Sequence, residues 1–285
     1  MTETARAALQ VDHVLDTIRT AQDKIRLVKR GNARWYELLI ADAWERVPGV
    51  TSPLAVLAKP ALPFWAANLQ FDADILTAWE AQLSGISFLG LDDFDSWFRT
   101  EAPAKKAHVE ALRKACEIGT GVHDLIENNL RERLGLEPKP CDVSDDARFV
   151  YEGFNEWADG VNLRPLMTES RLASFRHRYA GTMDSLALVE MDDELTLLDW
   201  KTSKAVYPEM RLQNVGYRKA VEEMTGILPA GMLVRLPKDR GEIEPVRLND
   251  PARDDVDRLF GVFLNLLAIY PWAKEHGPLE DRRKK

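Results

Sequence analysis

Between Gly181 and Lys204 the chain reads GTMDSLALVEMDDELTLLDWKTSK. Two apolar runs flank an acidic turn, the pattern of two strands meeting in a hairpin. Such a pair demands a sheet at the centre of the fold. It also carries charges where a buried strand should have none: Asp184 in the first run, Asp199 and Lys201 in the second. Side chains on a strand alternate faces, so Asp199 and Lys201 point the same way, and Trp200 and Thr202 the other. A two-residue turn at Asp192 and Asp193 sets Asp184 opposite Lys201, with Asp199 diagonal to Asp184 on the same face. A one-residue slip would reverse that face, so the convergence depends on the turn.

Two carboxylates about 4 Å apart repel by roughly 4 kcal/mol at an effective dielectric of about 20. One ammonium offsets part of this, and a divalent cation does so better. Oxygen ligands on rigid strands suit Mg²⁺ or Mn²⁺, which keep positions open for water and a substrate phosphate. The lysine beside such an ion would orient or deprotonate the attacking water and stabilise charge developing on phosphorus. The patch therefore has the parts for metal-assisted phosphodiester hydrolysis. The plainer reading of a bare D…DxK is a salt bridge at a sheet edge. Against it, Asp199 is reached through LTLL, a run that reads as a central strand. The helix that follows carries Gln213 and Tyr217, i and i+4 on one face.

The rest of the chain sets the frame. Its 285 residues suffice for one large domain or two small ones. Residues 1–25 read as an amphipathic helix, and RLVKRGNARWYELLI as strands around a turn at Gly31 and Asn32. VPGVTSP is a loop that caps a short helix through Ala58. A helical pattern follows from Pro63, with Phe64, Trp65 and Trp79 as core aromatics. Residues 104–134 form another helix, striped by Leu112, Cys116, Val122, Leu125, Ile126 and Leu130. Gly119 and Gly121 mark a break in it, or a close approach by another segment. Residues 135–148 read as a loop, 171–203 as strands, 211–225 as a helix, 231–248 as a hairpin around Asp239 to Gly241, and 252–275 as a final helix. This is one mixed α/β (α+β) fold, a sheet flanked by helices with a helical portion at its N-terminus. Within what reads as one continuous domain, 1–100 is an N-terminal helical and hairpin portion packed on the core, and 101–285 the core itself.

Two cysteines, Cys116 and Cys141, are too few for a four-cysteine zinc site or an iron–sulfur cluster. The N-terminus lacks a signal-peptide pattern, and FGVFLNLLAIY falls short of the roughly 18 residues of a membrane helix. A cytoplasmic protein is expected, with no membrane partner. The net charge of −8 argues against a polyanionic partner. Basic residues nevertheless cluster around the opening stretch: Arg171, Arg176, His177, Arg178, Lys201, Lys204, Arg211, Arg218 and Lys219.

GTMD, LLDWKTSK and QNVGY together resemble the PD-(D/E)xK nucleases, RecB-type branch. The marks are an Asp, a D/E-x-K on the next strand, and a QxxxY helix afterwards. Met183 stands where the first motif often has proline. GTGVHDLIE supplies the branch's upstream histidine as His123. VPGVTSPLAVLAKPALPFWAAN is similar to the N-terminal part of phage-type exonucleases of this branch. The resemblance covers most of the chain. It implies a restriction-endonuclease-like core, with one or two Mg²⁺ or Mn²⁺ ions held by Asp184, Asp199, His123 and the Trp200 backbone carbonyl. It makes Lys201 the catalytic lysine, and has Gln213 and Tyr217 brace the site or touch DNA. Arg176, His177 and Arg178 are further candidates for phosphate contact. Glu127 and Glu169 are weaker candidates for the same site, and His13, His108 and His276 bystanders. The implied activity is exonucleolytic hydrolysis of single- or double-stranded DNA from its ends, in phage or bacterial recombination, repair or replication. A recombinase or single-strand annealing protein would be its partner, and the setting the bacterial host cytoplasm. An endonuclease of the same superfamily, or a nuclease-like fold that only binds DNA or a recombination protein, are the alternatives.

Overall fold

The computed structural model describes residues 3–31, 33–57, 61–87, 90–101, 107–189, 194–238 and 242–276. In chain order these form α1 (Glu3–Ala21), β1 (Ile25–Arg30), β2 (Ala33–Ile40), β3 (Ala43–Val47), α2 (Ala61–Leu83), α3 (Leu91–Glu101), α4 (Ala107–Arg133) and α5 (Asp145–Gly160). Then come β4 (Arg164–Ser174), β5 (Tyr179–Val189), β6 (Glu194–Lys201), α6 (Pro208–Thr225), β7 (Ala230–Arg235), β8 (Glu244–Arg247) and α7 (Val256–His276). The architecture is mixed α/β, as the alternation of runs implied.

The chain falls into two compact units, residues 58–120 in one and residues 1–57 with 121–285 in the other. Residues 1–57 belong with the core because their apolar side chains are buried there. Val14 and Ile18 of α1 lie in the main cluster, and Ile25, Leu38 and Val47 pack with Ala173 and Ala180 of β4 and β5.

The larger unit is built on a five-stranded sheet in the order β4-β5-β6-β7-β8. All its pairs are antiparallel except β6 with β7. A parallel pair needs a crossover, and α6 supplies it. Tyr217 and Val221 of α6 join Tyr179, Met183, Leu186 and Leu197 of the sheet in the core, closed over by Phe263 and Leu266 of α7. On the other side α5 brings Phe154 and Trp157 edge-on to Trp200, at 5.2 and 6.2 Å between ring centroids. Helix α5 was not foreseen and starts inside the expected loop. Ser144 caps it by accepting the Ala147 N–H, and its buried Ala147, Val150, Phe154 and Ala158 keep helical spacing.

A three-stranded antiparallel sheet, β1-β2-β3, joins the larger one through the Gly49–Ala180 bridge. The turn at Gly31 is where the sequence put it, but β3 was not anticipated. Helix α4 runs unbroken through Gly119 and Gly121. A Cβ on Gly121 would meet the Ala147 Cβ at 3.0 Å, so that glycine serves close approach rather than a break.

In the smaller unit, α2 carries Phe64 and Trp79 exposed rather than in a core, and Leu112 and Cys116 of α4 are exposed as well. Their helical spacing was read correctly, but spacing does not say which stripe is covered. The final apolar segment is longer than expected. Helix α7 is 21 residues and, by length and composition, long and apolar enough to cross a membrane. Here its Phe263 and Leu266 are buried against the core. The turns expected at Asp192–Asp193 and Asp239–Gly241 lie outside the described residues, although the strands flanking each pair as hairpins.

Candidate active site

Strand β6 ends on Leu-Asp-Trp-Lys, at the carboxyl edge of the parallel pair. That edge is where ligands commonly bind in sheets of this kind. Asp199 is 1% exposed, and its Oδ2 lies 2.5 Å from the Lys201 ammonium. Gln213 of α6 completes the arrangement. Its Nε2 donates to Asp199 Oδ1 at 3.1 Å, and its Oε1 accepts from Lys201 Nζ at 3.1 Å. The two-residue spacing of a strand has therefore brought the carboxylate and the ammonium to one side-chain amide.

Tyr217, one turn along α6, is buried, and its ring packs against β5 at Gly181. A Cβ there would stand 2.5 Å from Tyr217 Cε1 and 3.0 Å from Val50 Cγ2, so only glycine fits. Burial raises the Tyr217 phenol well above its ordinary range, with Asp184 and Asp199 adding to the shift. It is a bracing side chain that stays protonated.

Asp184 is not where the turn arithmetic put it. Ser185 pairs with Leu198 and Val189 with Glu194. Asp184 is thus level with Asp199, two positions short of Lys201, because the ladder is shifted by two residues from the expected pairing. A shift of two preserves parity, so the convergence survives. The ladder stops at Ser185, and Asp184 Oδ2 accepts the Trp200 N–H at 2.8 Å. The Trp200 peptide, expected at the site through its carbonyl, is held there by its N–H.

His123 of α4 brings Nδ1 to 3.8 Å from Asp184 Oδ2. Glu169 of β4 completes a set. His123, Glu169 and Asp184 each offer a ligand atom, and these lie within 4.8 Å of one another. Sequence reasoning gave Glu169 only a supporting role, since it sits in a stretch with no motif. No local pattern marks its φ of +47° in mid-strand, between residues paired with Ser185 and Met183. A left-handed backbone is rare for a glutamate, and here it lies level with Asp184.

The electrostatics bear on what such a set can hold. Burial pushes the Glu169 carboxyl up to about 8, with Asp184 and Glu127 adding to it and Lys139 opposing. Glu169 as a residue is exposed, while surrounding protein crowds its carboxyl. Burial likewise raises the Asp199 carboxyl, against the pull of Lys201. Asp199 Oδ2 makes no hydrogen bond of good geometry, and Lys201 is its cationic neighbour. A buried Asp199 oxygen short of partners, together with a Glu169 carboxyl raised in pKa, belongs to a donor set that a divalent cation suits. Glu127 instead pairs with Lys139 and, at 3.8 Å, with Arg131.

No protein-family model matches the chain, and no curated protein matches it in sequence.

The remaining candidates lie elsewhere. Arg176, His177 and Arg178 form the β4–β5 turn, and Arg178 is about 20 Å from Asp184 at a strand's rise per residue. There they have local duties. The Arg176 N–H donates to Glu223, the His177 ring stands edge-on to Phe260, and Arg178 is 3.9 Å from Glu45. They surround the opening stretch in sequence and sit at the far end of its strand in space. His13 touches the Thr225 carbonyl, and His276 stacks on Trp272, both away from the site.

Proposed function

We propose that this chain is a metal-dependent deoxyribonuclease of the PD-(D/E)xK type, in the RecB-type branch, acting as an exonuclease. The observation that carries the reading is the joining of Asp199 and Lys201 by Gln213, with Asp184 level with Asp199 and His123 beside Asp184. A salt bridge at a sheet edge would need neither the histidine nor the second carboxylate.

His123, Glu169 and Asp184, with Asp199 beside them, are the residues to hold Mg²⁺ or Mn²⁺. Bound there, the ion would supply Lewis-acid stabilisation of a phosphodiester oxygen and lower the pKa of a water. The chain's own groups do the rest. The Lys201 ammonium stands where charge develops and gives a proton-transfer group at Nζ. Gln213 holds Lys201 and Asp199 in fixed orientation, so neither reorganises during reaction. Tyr217 and Gly181 lock α6 against β5 and thereby set the position of Gln213. The Trp200 N–H, donating to Asp184 Oδ2, fixes one carboxylate oxygen and leaves the other to a ligand.

Purified protein with Mn²⁺ should degrade end-labelled linear DNA, and Lys201→Ala should abolish this. Equal cleavage by the variant defeats the assignment. Covalently closed circles separate modes, since nicking them marks an endonuclease. The resemblance that suggests an exonuclease also suggests service in phage or bacterial recombination beside a recombinase or annealing protein.

A further inference from the structure

The chain has a net charge of −8, yet residues 24–34, KIRLVKRGNAR, contain five basic residues and no acidic one. They form β1 and the start of β2, within the unit that holds the candidate site. The β1–β2–β3 register puts Arg26 and Arg30 on one face with Trp35, Glu37, Trp44 and Arg46. The opposite face carries Ile25 and Leu38 into the core.

On the open face each tryptophan is capped by an arginine. The Arg26 guanidinium lies 4.0 Å from the centroid of Trp44, and that of Arg46 4.6 Å from Trp35. Glu37 holds the group together, accepting from Trp35 Nε1 at 2.8 Å and from Arg26 Nε at 2.6 Å. The arginines are thus pre-ordered over the rings, with guanidinium charge at the surface for phosphates or base faces. At the tip, Lys29 is directly opposite Arg34, both on the face of Ile25 and Leu38 but exposed there, so the tip is basic on both faces. Like charges in that position destabilise a sheet. Among the described residues no carboxylate lies within ion-pair distance of Lys29, Arg30 or Arg34. A fold gains nothing from such a tip, whereas a polyanionic partner would relieve it.

We infer that the outer face and tip of the β1–β3 sheet bind a nucleic-acid strand, single-stranded DNA in particular. The choice of DNA rests on the nuclease reading, whereas the anionic character of the partner rests on the charges alone. The placement suits delivery to the site. Tyr36 of β2 hydrogen-bonds Thr182 of β5 at 2.8 Å, and Thr182 is two residues from Asp184. The sheet is anchored to the strand that bears the catalytic carboxylate.

The test is fluorescence anisotropy with a labelled single strand of about 20 nucleotides over a salt series, in chelator so that no cleavage occurs. Wild type should bind with a steep salt dependence. Lys29→Ala/Arg30→Ala/Arg34→Ala should weaken binding at least tenfold and reduce the slope of log K against log salt by about 2, three cations at about 0.7 each. The same variant should unfold at no lower temperature, since it removes the opposed charges. Arg30→Glu alone should also weaken binding, and Arg19→Ala on α1 should not. Failure of wild type to bind, or an unchanged affinity and slope in the triple variant, overturns the inference. Cleavage with Mn²⁺ alongside an unaffected triple variant would sink this surface and leave the nuclease standing. Hairpin-dependent binding without hydrolysis would do the reverse.

Discussion

Lys201→Met isolates what the ammonium does for the buried carboxylate beside it. Removing one partner of a buried ion pair ordinarily costs about 3–5 kcal/mol, because a charge is left uncompensated. Asp199 has an escape, since it can take up a proton. Burial has already raised its carboxyl from an ordinary 3.8 to about 6, with Lys201 opposing the rise. Because the folded value exceeds the unfolded one, wild-type stability falls as pH rises between those values and levels off above about 6. In the variant the carboxyl titrates higher still, so stability keeps falling. The penalty is therefore the ionisation free energy that the folded wild type gains and the variant forgoes. That is about 2 kcal/mol at about pH 7.5 and a few tenths of a kcal/mol at about pH 5.5. Proton uptake caps the cost below the usual figure for a broken pair. The loss of the Gln213 contact adds a part that does not vary with pH. Urea denaturation in chelator at the two pH values measures the difference. A penalty equal at both within about 0.5 kcal/mol would show that Asp199 is not held charged by Lys201, and the electrostatic account of the site would fail.

Gly181→Ala should destabilise by about 1–3 kcal/mol through overpacking against Tyr217 and Val50. Combined with Tyr217→Leu, which vacates the contested space, it should cost less than the sum of the singles, and additive effects would refute the contact. Mn²⁺ should raise the melting temperature more as pH rises toward about 8. The Glu169 carboxyl is protonated in the metal-free fold below that value, so the ion must displace its proton. Glu169→Gln should flatten that dependence, and calorimetry in buffers of different ionisation enthalpy should show proton release at neutral pH by wild type alone. Ser144→Ala should cost about 1 kcal/mol of stability by uncapping α5, with no change in Mn²⁺ affinity.

The parts of the site legible in the sequence were those set by local periodicity. A strand repeats every two residues and a helix every 3.6. Asp199 with Lys201, and Gln213 with Tyr217, could therefore be placed together from spacing alone, as could the strands of the opening hairpin and the helix after them. The placement of His123 beside Asp184 came from motif order rather than periodicity. The register of the opening hairpin could not be read, because residue type does not decide where along an acidic stretch the chain reverses.

What the tertiary structure decided is whatever depends on distant segments meeting. The level of Asp184 against Asp199 follows from ladder pairing. The entry of Glu169 follows from β4 lying beside β5 and from a left-handed backbone that its neighbours impose. The exposure of Phe64 and Trp79, the grouping of residues 1–57 with the core, and the remoteness of Arg176 to Arg178 have the same origin. Alternation along a strand is dictated by the geometry of each residue. Register, burial and distance are properties of pairs of segments, and they are settled when those segments pack.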